Sequence, residues 1–251
     1  MIIIRNIPGM GRLFYSLYRF KKYVPGIREA YNAGDIELEK QRIAESTQVW
    51  AQTISRMYGM KVQVRGKENI PDHDGLVFIS NHQGYGDIIA MLLATEGRQI
   101  SFVAKDQLSK IPLFGMWIKT IRGVFIQRGN AKAALKSIAE ASDLVKQGFN
   151  MVIFPEGTRS RGGEMKPFKA GSFKLATKAK ATIVPVTIHG TYDMFETRGT
   201  IGPSSSVVCF HPPVDTADLD RHALRELEGQ VEATIRQKLV ELTEEKNRGD
   251  F

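Results

Sequence analysis

The chain has 251 residues, of which 42% are hydrophobic and 25% are charged, a composition typical of globular proteins that excludes disordered, collagen-like and coiled-coil chains. The single cysteine, Cys209, excludes a disulfide framework and a cysteine-based zinc cluster, and it favours a reducing, intracellular setting. The formal net charge is +8 without any block of five or six like charges, which argues against a nucleic-acid partner and leaves an anionic membrane surface as the alternative.

The first 59 residues are predicted to form a helical element. Apolar residues recur with helical spacing between positions 8 and 24, and basic side chains fall on the opposite face. Residues 1–30 carry six basic residues against one acidic residue, a net charge of +5. Two interpretations of this pattern stay open: an amphipathic helix that covers a core, and a helix that lies in a membrane interface. A second helix is predicted to begin after Asp35 as its N-cap.

From residue 60 onward, short β-rich runs alternate with helical stretches. The predicted strands are 61–65, 76–80, 100–104, 123–127, 150–154, 182–188 and 206–210. The predicted helices are 87–95, 109–119, 131–147, 171–180 and 218–246. Apolar strands that alternate with helices predict an α/β fold with a largely parallel central sheet flanked by helices. We therefore predict two parts, a helical element of residues 1–59 and an α/β domain of residues 60–251.

The sequence offers no candidate for a membrane-spanning helix. Its longest stretch without a charged residue covers residues 199–214 and is interrupted by glycine, serine and three prolines. A spanning helix needs about 20 mostly apolar residues. The apolar run at the start of the chain is too short for the core of a signal peptide. We therefore expect the protein to stay on the side of the membrane on which it is made.

A histidine and an aspartate flank a loop that follows the second predicted strand, in the segment SNHQGYGD at residues 80–87. Open α/β sheets bind ligands at the carboxyl ends of their strands, where His82 is expected to lie. Two glycines would give the loop the backbone freedom to turn, with Asp87 as the N-cap of the next helix and facing His82. A carboxylate bonded to one imidazole nitrogen makes the other nitrogen a general base. A loop histidine beside a capping aspartate is the alternative interpretation.

The His–Asp pair is not accompanied by a nucleophile of its own. The sequence contains no G-x-S-x-G segment, and Cys209 has no comparable partner along the chain. A His–Asp pair without a protein hydroxyl is suited to a reaction in which the substrate supplies the hydroxyl group. The other histidines are scattered without the spacing of metal ligands.

A second polar loop, FPEGTRS at residues 154–160, follows the fifth predicted strand. Its proline would end the strand and its glycine would permit a sharp turn, which presents polar groups at the same edge of the sheet. An arginine side chain can bind phosphate through two parallel hydrogen bonds. The segment therefore predicts a phosphate-binding loop, and a surface turn with a Glu–Arg ion pair is the alternative.

Four ordered motifs resemble those of the glycerolipid acyltransferase family. NHQGYGD fits the family's NHxxxxD signature, and FPEGTRS fits the FPEGTRS signature. GVFIQR at residues 123–128 and IVPV at residues 183–186 are similar to two further blocks of the family. The resemblance covers roughly residues 60–215. Gly84 and Gly86 depart from it, since many members carry a bulkier residue at these positions.

The resemblance implies an enzyme of phospholipid biosynthesis that transfers an acyl chain from acyl-CoA or acyl-carrier protein to the sn-2 hydroxyl of lysophosphatidic acid (1-acyl-sn-glycerol-3-phosphate), forming phosphatidic acid. His82 would be the general base and Asp87 its partner. The residues expected to bind the acceptor are Glu156, Gly157, Thr158, Arg159, Arg128 and Lys105. Arg159 and Arg128 would bind the acceptor phosphate, and Glu156 would orient either the acceptor or Arg159. No metal and no cofactor are implied beyond the acyl donor as co-substrate.

The resemblance also favours the interfacial interpretation of the first helix, because the N-terminal segment is similar to the membrane-docking element of bacterial family members. We expect a peripheral protein at the cytoplasmic face of the cell membrane, held on an anionic bilayer where its lipid acceptor resides. Two alternatives stay open: an acyltransferase for glycerol-3-phosphate or another lysophospholipid, and a membrane-docked lipid-binding protein without catalysis. A nucleic-acid partner is not expected, since the sequence lacks an aromatic-basic groove.

Overall fold

The computed structural model describes residues 2–127, 129–217, 219 and 221–251, with side chains described except at residues 2–7 and 221. The helices of this part are α1 (Ile2–Phe20), α2 (Val24–Ala33), α3 (Ile36–Tyr58), α4 (Gly86–Ala94), α5 (Phe114–Thr120), α6 (Ala131–Lys146), α7 (Lys174–Ala179) and α8 (Arg221–Arg248). The strands are β1 (Met60–Arg65), β2 (Val77–Ser80), β3 (Ser101–Lys105), β4 (Val124–Ile126), β5 (Met151–Ile153), β6 (Ile183–His189) and β7 (Ser204–Phe210). Each predicted strand has a counterpart within two residues at either end.

The seven strands form one sheet in the order β1-β7-β6-β2-β5-β3-β4. Neighbouring strands are parallel except for β6 and β7, which are antiparallel. The predicted α/β fold with a largely parallel sheet is thereby confirmed. Because β2 lies between β6 and β5, the loop that follows β2 is flanked by the loops that follow these two strands. This is the position in which a parallel sheet brings loops together to form a site.

The sheet is covered by helices on both faces. Alternate residues of β2 point to opposite faces, with Phe78 in one apolar cluster and Val77 and Ile79 in the other. The first cluster contains residues of α1 to α5, and the second contains residues of α6, α7 and α8. Because β2 is buried from both sides, the loop that follows it starts from a rigid base.

The N-terminal element contains one helix more than the sequence predicts. α1 begins at Ile2 and includes Pro8, and a 3₁₀ turn (Lys21–Tyr23) leads into α2. α2 has a proline at its start, where the missing N–H group costs no helical hydrogen bond. The N-cap prediction is confirmed, since the Asp35 carboxylate accepts the N–H of Leu38 at 3.0 Å.

The N-terminal helices share the core of the α/β part. Leu17 and Trp50 belong to the same apolar cluster as Trp117 of α5. The rings of Trp50 and Trp117 lie 4.7 Å apart between centroids, and the Trp50 indole N–H donates to the Ser16 hydroxyl. The division of the chain at residue 60 stays a prediction. None of the described helices combines the length and hydropathy that crossing a membrane would require.

The predicted helix at 109–119 is wrong at its start. A 3₁₀ turn (Asp106–Lys110) comes first, and α5 begins at Phe114. Pro112 explains the break, because it has no N–H group and restricts the preceding residue to an extended backbone. Ile111 has that conformation, with φ −86° and ψ 116°. A 3₁₀ turn also precedes α7, which begins at Lys174.

Candidate active site

The loop after β2 is fixed to the neighbouring strand β6 by an asparagine side chain. The Asn81 amide group donates to the Ile188 carbonyl and accepts the Ile188 N–H, both at 2.8 Å. This pair of bonds imitates one step of a parallel β-ladder after the strand itself has ended. Two residues further along the chain, the side-chain oxygen of Gln83 accepts the N–H of Gly190 at 2.8 Å. The loop is therefore held at the carboxyl ends of the strands, as predicted.

His82 and Asp87 meet in this loop. The His82 Nδ1 and the Asp87 Oδ2 lie 2.6 Å apart. The same Oδ2 accepts the main-chain N–H groups of Gln83 at 2.7 Å and Gly84 at 3.1 Å, while Oδ1 accepts the Thr191 hydroxyl. Asp87 is fully buried, whereas the His82 side chain is 18% exposed. An ionised carboxylate can only accept hydrogen bonds, so it holds a proton on Nδ1 and leaves Nε2 as a proton acceptor.

Two details of this loop differ from the prediction. Asp87 is not the N-cap of α4, because the helix begins at Gly86 and Asp87 lies in its first turn. Gly84 and Gly86 are required for space and not for a left-handed backbone. A Cβ atom on Gly84 would lie 2.6 Å from the Glu196 carboxylate, and one on Gly86 would lie 2.9 Å from a main-chain carbonyl.

The imidazole ring of His82 is also oriented by an aromatic side chain. Phe154, which directly follows β5, stacks on the ring with centroids 4.2 Å apart and an interplanar angle of 18°. Together with the Asp87 carboxylate this contact restricts both the position and the tilt of the imidazole. The ring is therefore fixed from its face and from one of its nitrogen atoms.

The loop of residues 154–160 braces the His82 loop through main-chain hydrogen bonds. The N–H of Ser160 donates to the His82 carbonyl at 2.8 Å. Glu156 is buried, and its two oxygens accept the N–H groups of His82 at 2.6 Å and Lys166 at 3.0 Å. Burial raises the pKa of the Glu156 carboxyl above its ordinary value. Both oxygens of Glu156 are thus engaged by main-chain N–H groups, and its expected role in orienting the acceptor or Arg159 stays a prediction.

Arg159 pairs with a different carboxylate. Its Nη1 lies 2.6 Å from Oε1 of Glu196, and its guanidinium carbon lies 3.6 Å from the centroid of the Tyr85 ring. The Glu196 side chain is 3% exposed, and burial raises its pKa. Arg159 itself is partly exposed, so its guanidinium group is oriented by protein contacts while part of it faces solvent.

The remaining predicted site residues are Gly157, Thr158, Lys105 and Arg128. Gly157 has φ +68° and packs against the Lys169 side chain, so the left-handed turn predicted there is present. Thr158 is exposed beside this turn. Lys105 ends β3, next to β5, and is partly buried at the same edge of the sheet. Arg128 lies outside the described residues. The structure therefore joins His82, Asp87, Glu156 and Arg159 in two linked loops and places Lys105 at the end of β3.

No metal centre is formed by the described side chains, since no group of three or more histidine, cysteine, aspartate or glutamate residues among them could hold an ion. The expectation that the protein uses no metal or cofactor stays a prediction.

Glu196, Thr191 and Phe154 contribute to the site but are not among the residues predicted from the sequence. Thr191 and Glu196 both follow β6, the strand beside β2, and a search for polar residues after each predicted strand would have marked them. Phe154 is part of a motif in which only the polar members indicate chemistry. Its stacking on His82 depends on the pairing of β2 with β5, which the sequence does not specify.

The chain resembles known acyltransferases in sequence. A family model described as Acyltransferase matches residues 61–189. The 1-acyl-sn-glycerol-3-phosphate acyltransferase of Borreliella burgdorferi is 30% identical over 182 residues, which cover 72% of each chain. The enzyme of that name from Salmonella typhimurium is 30% identical over 193 residues, 76% of this chain and 78% of the relative. The chloroplastic 1-acyl-sn-glycerol-3-phosphate acyltransferase BAT2 of Brassica napus is 34% identical, but the match spans only 48% of its length.

A solved structure has the same fold over nearly the whole chain. The crystal structure of the 1-acyl-sn-glycerophosphate (LPA) acyltransferase PlsC from Thermotoga maritima superposes with a TM-score of 0.75 and 28% sequence identity. The superposition covers 97% of this chain and 98% of that one. These matches agree with the family resemblance that the four motifs predict.

Proposed function

We propose, since the chain belongs to the acyltransferase family, that it transfers an acyl chain from a thioester donor to the sn-2 hydroxyl of lysophosphatidic acid, with phosphatidic acid as the product. The relatives in three organisms carry the name of this activity. The observation that carries the proposal is the 2.6 Å contact between His82 Nδ1 and Asp87 Oδ2 in a partly exposed loop at the carboxyl edge of the sheet.

The proposed reaction begins with proton transfer to His82. Nε2 accepts the proton of the acceptor hydroxyl while the hydroxyl oxygen attacks the thioester carbonyl carbon. Asp87 stabilises the imidazolium that forms. The C–O ester bond forms and the C–S bond breaks. His82 then returns the proton to the departing thiolate, so that the products are the ester and a free thiol. Positioned acid–base catalysis of this kind contributes about 10²–10⁴-fold to the rate.

Arg159 is the proposed ligand of the acceptor phosphate. Its pairing with Glu196 occupies Nη1, and a guanidinium group carries five N–H donors in a planar fork, so donors remain for a phosphate. Arg128 and Lys105 are proposed as further cations for the acceptor, on the basis of their places after β4 and at the end of β3. Gly157 and Thr158 would contribute the turn that presents Arg159.

The identity of the acyl donor and the binding to a membrane are part of the same proposal. The donor is acyl-CoA or acyl-carrier protein, since both deliver a thioester carbonyl to the site. The exposed basic side chains of α1 and the turn after it, including Arg19 and Lys22, would hold the protein on an anionic bilayer at the cytoplasmic face of the cell membrane.

The proposal is tested with purified protein, lysophosphatidic acid and either oleoyl-CoA or oleoyl-acyl-carrier protein, with products identified by mass. Formation of phosphatidic acid together with equimolar free thiol supports it. Parallel reactions with glycerol-3-phosphate and lysophosphatidylcholine determine whether another acceptor is preferred. Failure to release thiol from both donors with every acceptor would contradict the proposal and favour a lipid-binding protein without catalysis.

A further inference from the structure

Glu196 lies in the turn after the 3₁₀ segment Thr191–Met194, which follows β6 at the same sheet edge as His82. One oxygen, Oε1, receives both of its described hydrogen bonds, from Arg159 Nη1 at 2.6 Å and from the Tyr85 N–H at 3.0 Å. The other oxygen, Oε2, is buried and has no hydrogen-bond partner among the described residues. A buried carboxylate with one oxygen unsatisfied is costly, so its retention calls for an explanation.

The contacts of Arg159 supply that explanation. Glu196 holds one edge of the guanidinium group, and the Tyr85 ring covers one of its faces at 3.6 Å. The Tyr85 ring packs in turn against Phe195, with centroids 5.7 Å apart. The three parts of this arrangement come from the loops after β2, β5 and β6. These contacts restrict the guanidinium group before a ligand binds, so less conformational entropy is lost on binding than for an arginine that is free in solvent.

The space for Glu196 depends on a residue of the His82 loop. A Cβ atom on Gly84 would lie 2.6 Å from Oε2 and 3.1 Å from the carboxyl carbon of Glu196. A Cβ atom at residue 84 would therefore displace the Glu196 carboxylate from its observed position. This close approach links the loop that holds the catalytic pair to the side chain that holds Arg159.

We propose that Glu196 is a positioning residue for the acceptor site, which fixes the guanidinium group of Arg159 in the orientation that binds the phosphate of the lysolipid. This inference rests on the proposed function, in which Arg159 contacts that phosphate. Glu196 acts through Arg159 and not on the reacting atoms, so its loss changes the binding of phosphate-bearing acceptors and spares the chemical step.

Three substitutions at position 196 separate position from charge. Glu196→Gln removes the charge but keeps an acceptor oxygen at the place of Oε1, where both hydrogen bonds end. Glu196→Asp keeps the charge but withdraws it by one methylene group. Glu196→Ala removes both. A positioning role predicts that the KM for lysophosphatidic acid rises by at least about tenfold in the Ala and Asp variants. In the Gln variant this KM should stay near the wild-type value. The kcat should change little in all three variants.

Two comparisons distinguish failure of this inference from failure of the proposed function. With monoacylglycerol, an acceptor without phosphate, the Ala and Asp variants should match the wild type. Combining Glu196→Ala with Arg159→Ala should raise the KM for lysophosphatidic acid no further than Arg159→Ala alone. If Arg159→Ala leaves that KM unchanged, the phosphate role of Arg159 in the proposed function fails.

If Arg159→Ala raises the KM and the Glu196 variants do not, or if they lower it, the positioning role is overturned. A loss of kcat with both acceptors would also overturn it, because the effect would then reach the His82 loop directly. Glu164→Ala, an exposed acidic residue near the same loop, is the matched control. The Asp and Gln variants preserve a polar side chain, so the comparison between them decides the question even if the Ala variant fails to fold.

Discussion

The carboxylate of Glu156 accepts the main-chain N–H of His82 with an O···N distance of 2.6 Å. This bond joins two motifs that are 74 residues apart in the sequence. The second carboxylate oxygen of Glu156 accepts the N–H of Lys166 at 3.0 Å. The glutamate of the FPEGTRS segment is therefore part of the framework that holds the His82 loop. Its proposed contact with the acceptor stays a prediction, while the geometry explains why a charged residue is buried there.

Glu156→Ala should destabilise the protein and lower the rate together. Two main-chain N–H groups would lose their acceptor, and each such loss costs about 1–3 kcal/mol. We expect the free energy of unfolding, measured by urea denaturation, to fall by that order, and kcat to fall because the His82 backbone is released. Glu164→Ala, in the same segment but exposed, serves as the control and should leave both unchanged. An unaltered denaturation midpoint for Glu156→Ala would contradict the framework role.

Asp87→Asn tests what the negative charge beside His82 contributes. Because Oδ2 faces Nδ1 and also accepts two main-chain N–H groups, the amide oxygen of an asparagine would take its place, and the imidazole would lose the charge that stabilises its protonated form. We expect kcat to fall by about 10²–10⁴-fold. The KM for lysophosphatidic acid should stay near its wild-type value, since Asp87 is fully buried. A kcat within tenfold of wild type would show that the carboxylate is dispensable.

His189 should make the protein sensitive to acid. Burial lowers the pKa of its imidazole to about 4, with Lys246 acting in the same direction. In the unfolded chain this pKa is about 6.5. Between pH 6.5 and 4 the His189 imidazole therefore binds a proton in the unfolded chain but not in the folded protein. Stability is fully present above pH 6.5 and is lost as the pH falls toward 4, by up to about 3 kcal/mol.

The His189→Gln variant checks this pH dependence, because glutamine does not titrate and can still reach the Thr243 hydroxyl that Nε2 contacts at 3.1 Å. The unfolding free energy of the variant should fall less than that of the wild type between pH 7 and pH 4.5. His73→Gln, at an exposed position, should follow the wild type. Parallel curves for wild type and His189→Gln would contradict the prediction.

The exposed basic side chains of α1 and of the turn after it are predicted to bind an anionic bilayer. Exchanging Arg19 and Lys22, both exposed, for glutamate should weaken binding to phosphatidylglycerol vesicles in a sedimentation assay, with the largest difference at low salt. The Lys146→Glu and Lys178→Glu double variant changes the net charge equally but lies on α6 and α7, on the other face of the sheet. Equal loss of binding in both double variants would indicate a net-charge effect and contradict docking through the N-terminal helices.

The sequence predicts the sheet well, because the buried strands are apolar runs bounded by turn residues, as in LVFIS and NMVIF. It predicts α2 poorly, since the segment VPGIREAYNA contains a proline and a glycine near its start. The His82–Asp87 pair is predictable because both residues lie in one short loop. The positions of Glu196 and Thr191 after a strand can be read from the sequence, but their contacts with Arg159 and Asp87 cannot, because these depend on β6 pairing beside β2.

The conformation of the two glycines in the His82 loop illustrates the same limit. The sequence indicates that residues 84 and 86 need to be small, and backbone freedom is the usual reason. The structure gives another reason, since a Cβ at either position would collide with groups from the segment that follows β6. Steric limits of this kind arise from tertiary packing and leave no periodic signal in the chain.

The kcat of the His82→Ala variant, measured with lysophosphatidic acid and oleoyl-CoA by thiol release and by the mass of the lipid product, tests the central claim most directly. The variant should retain its fold, checked by its denaturation curve, and its kcat should fall by at least about 10²-fold, because no other group would accept the proton of the acceptor hydroxyl. A folded His82→Ala protein that keeps most of the wild-type rate would contradict the account.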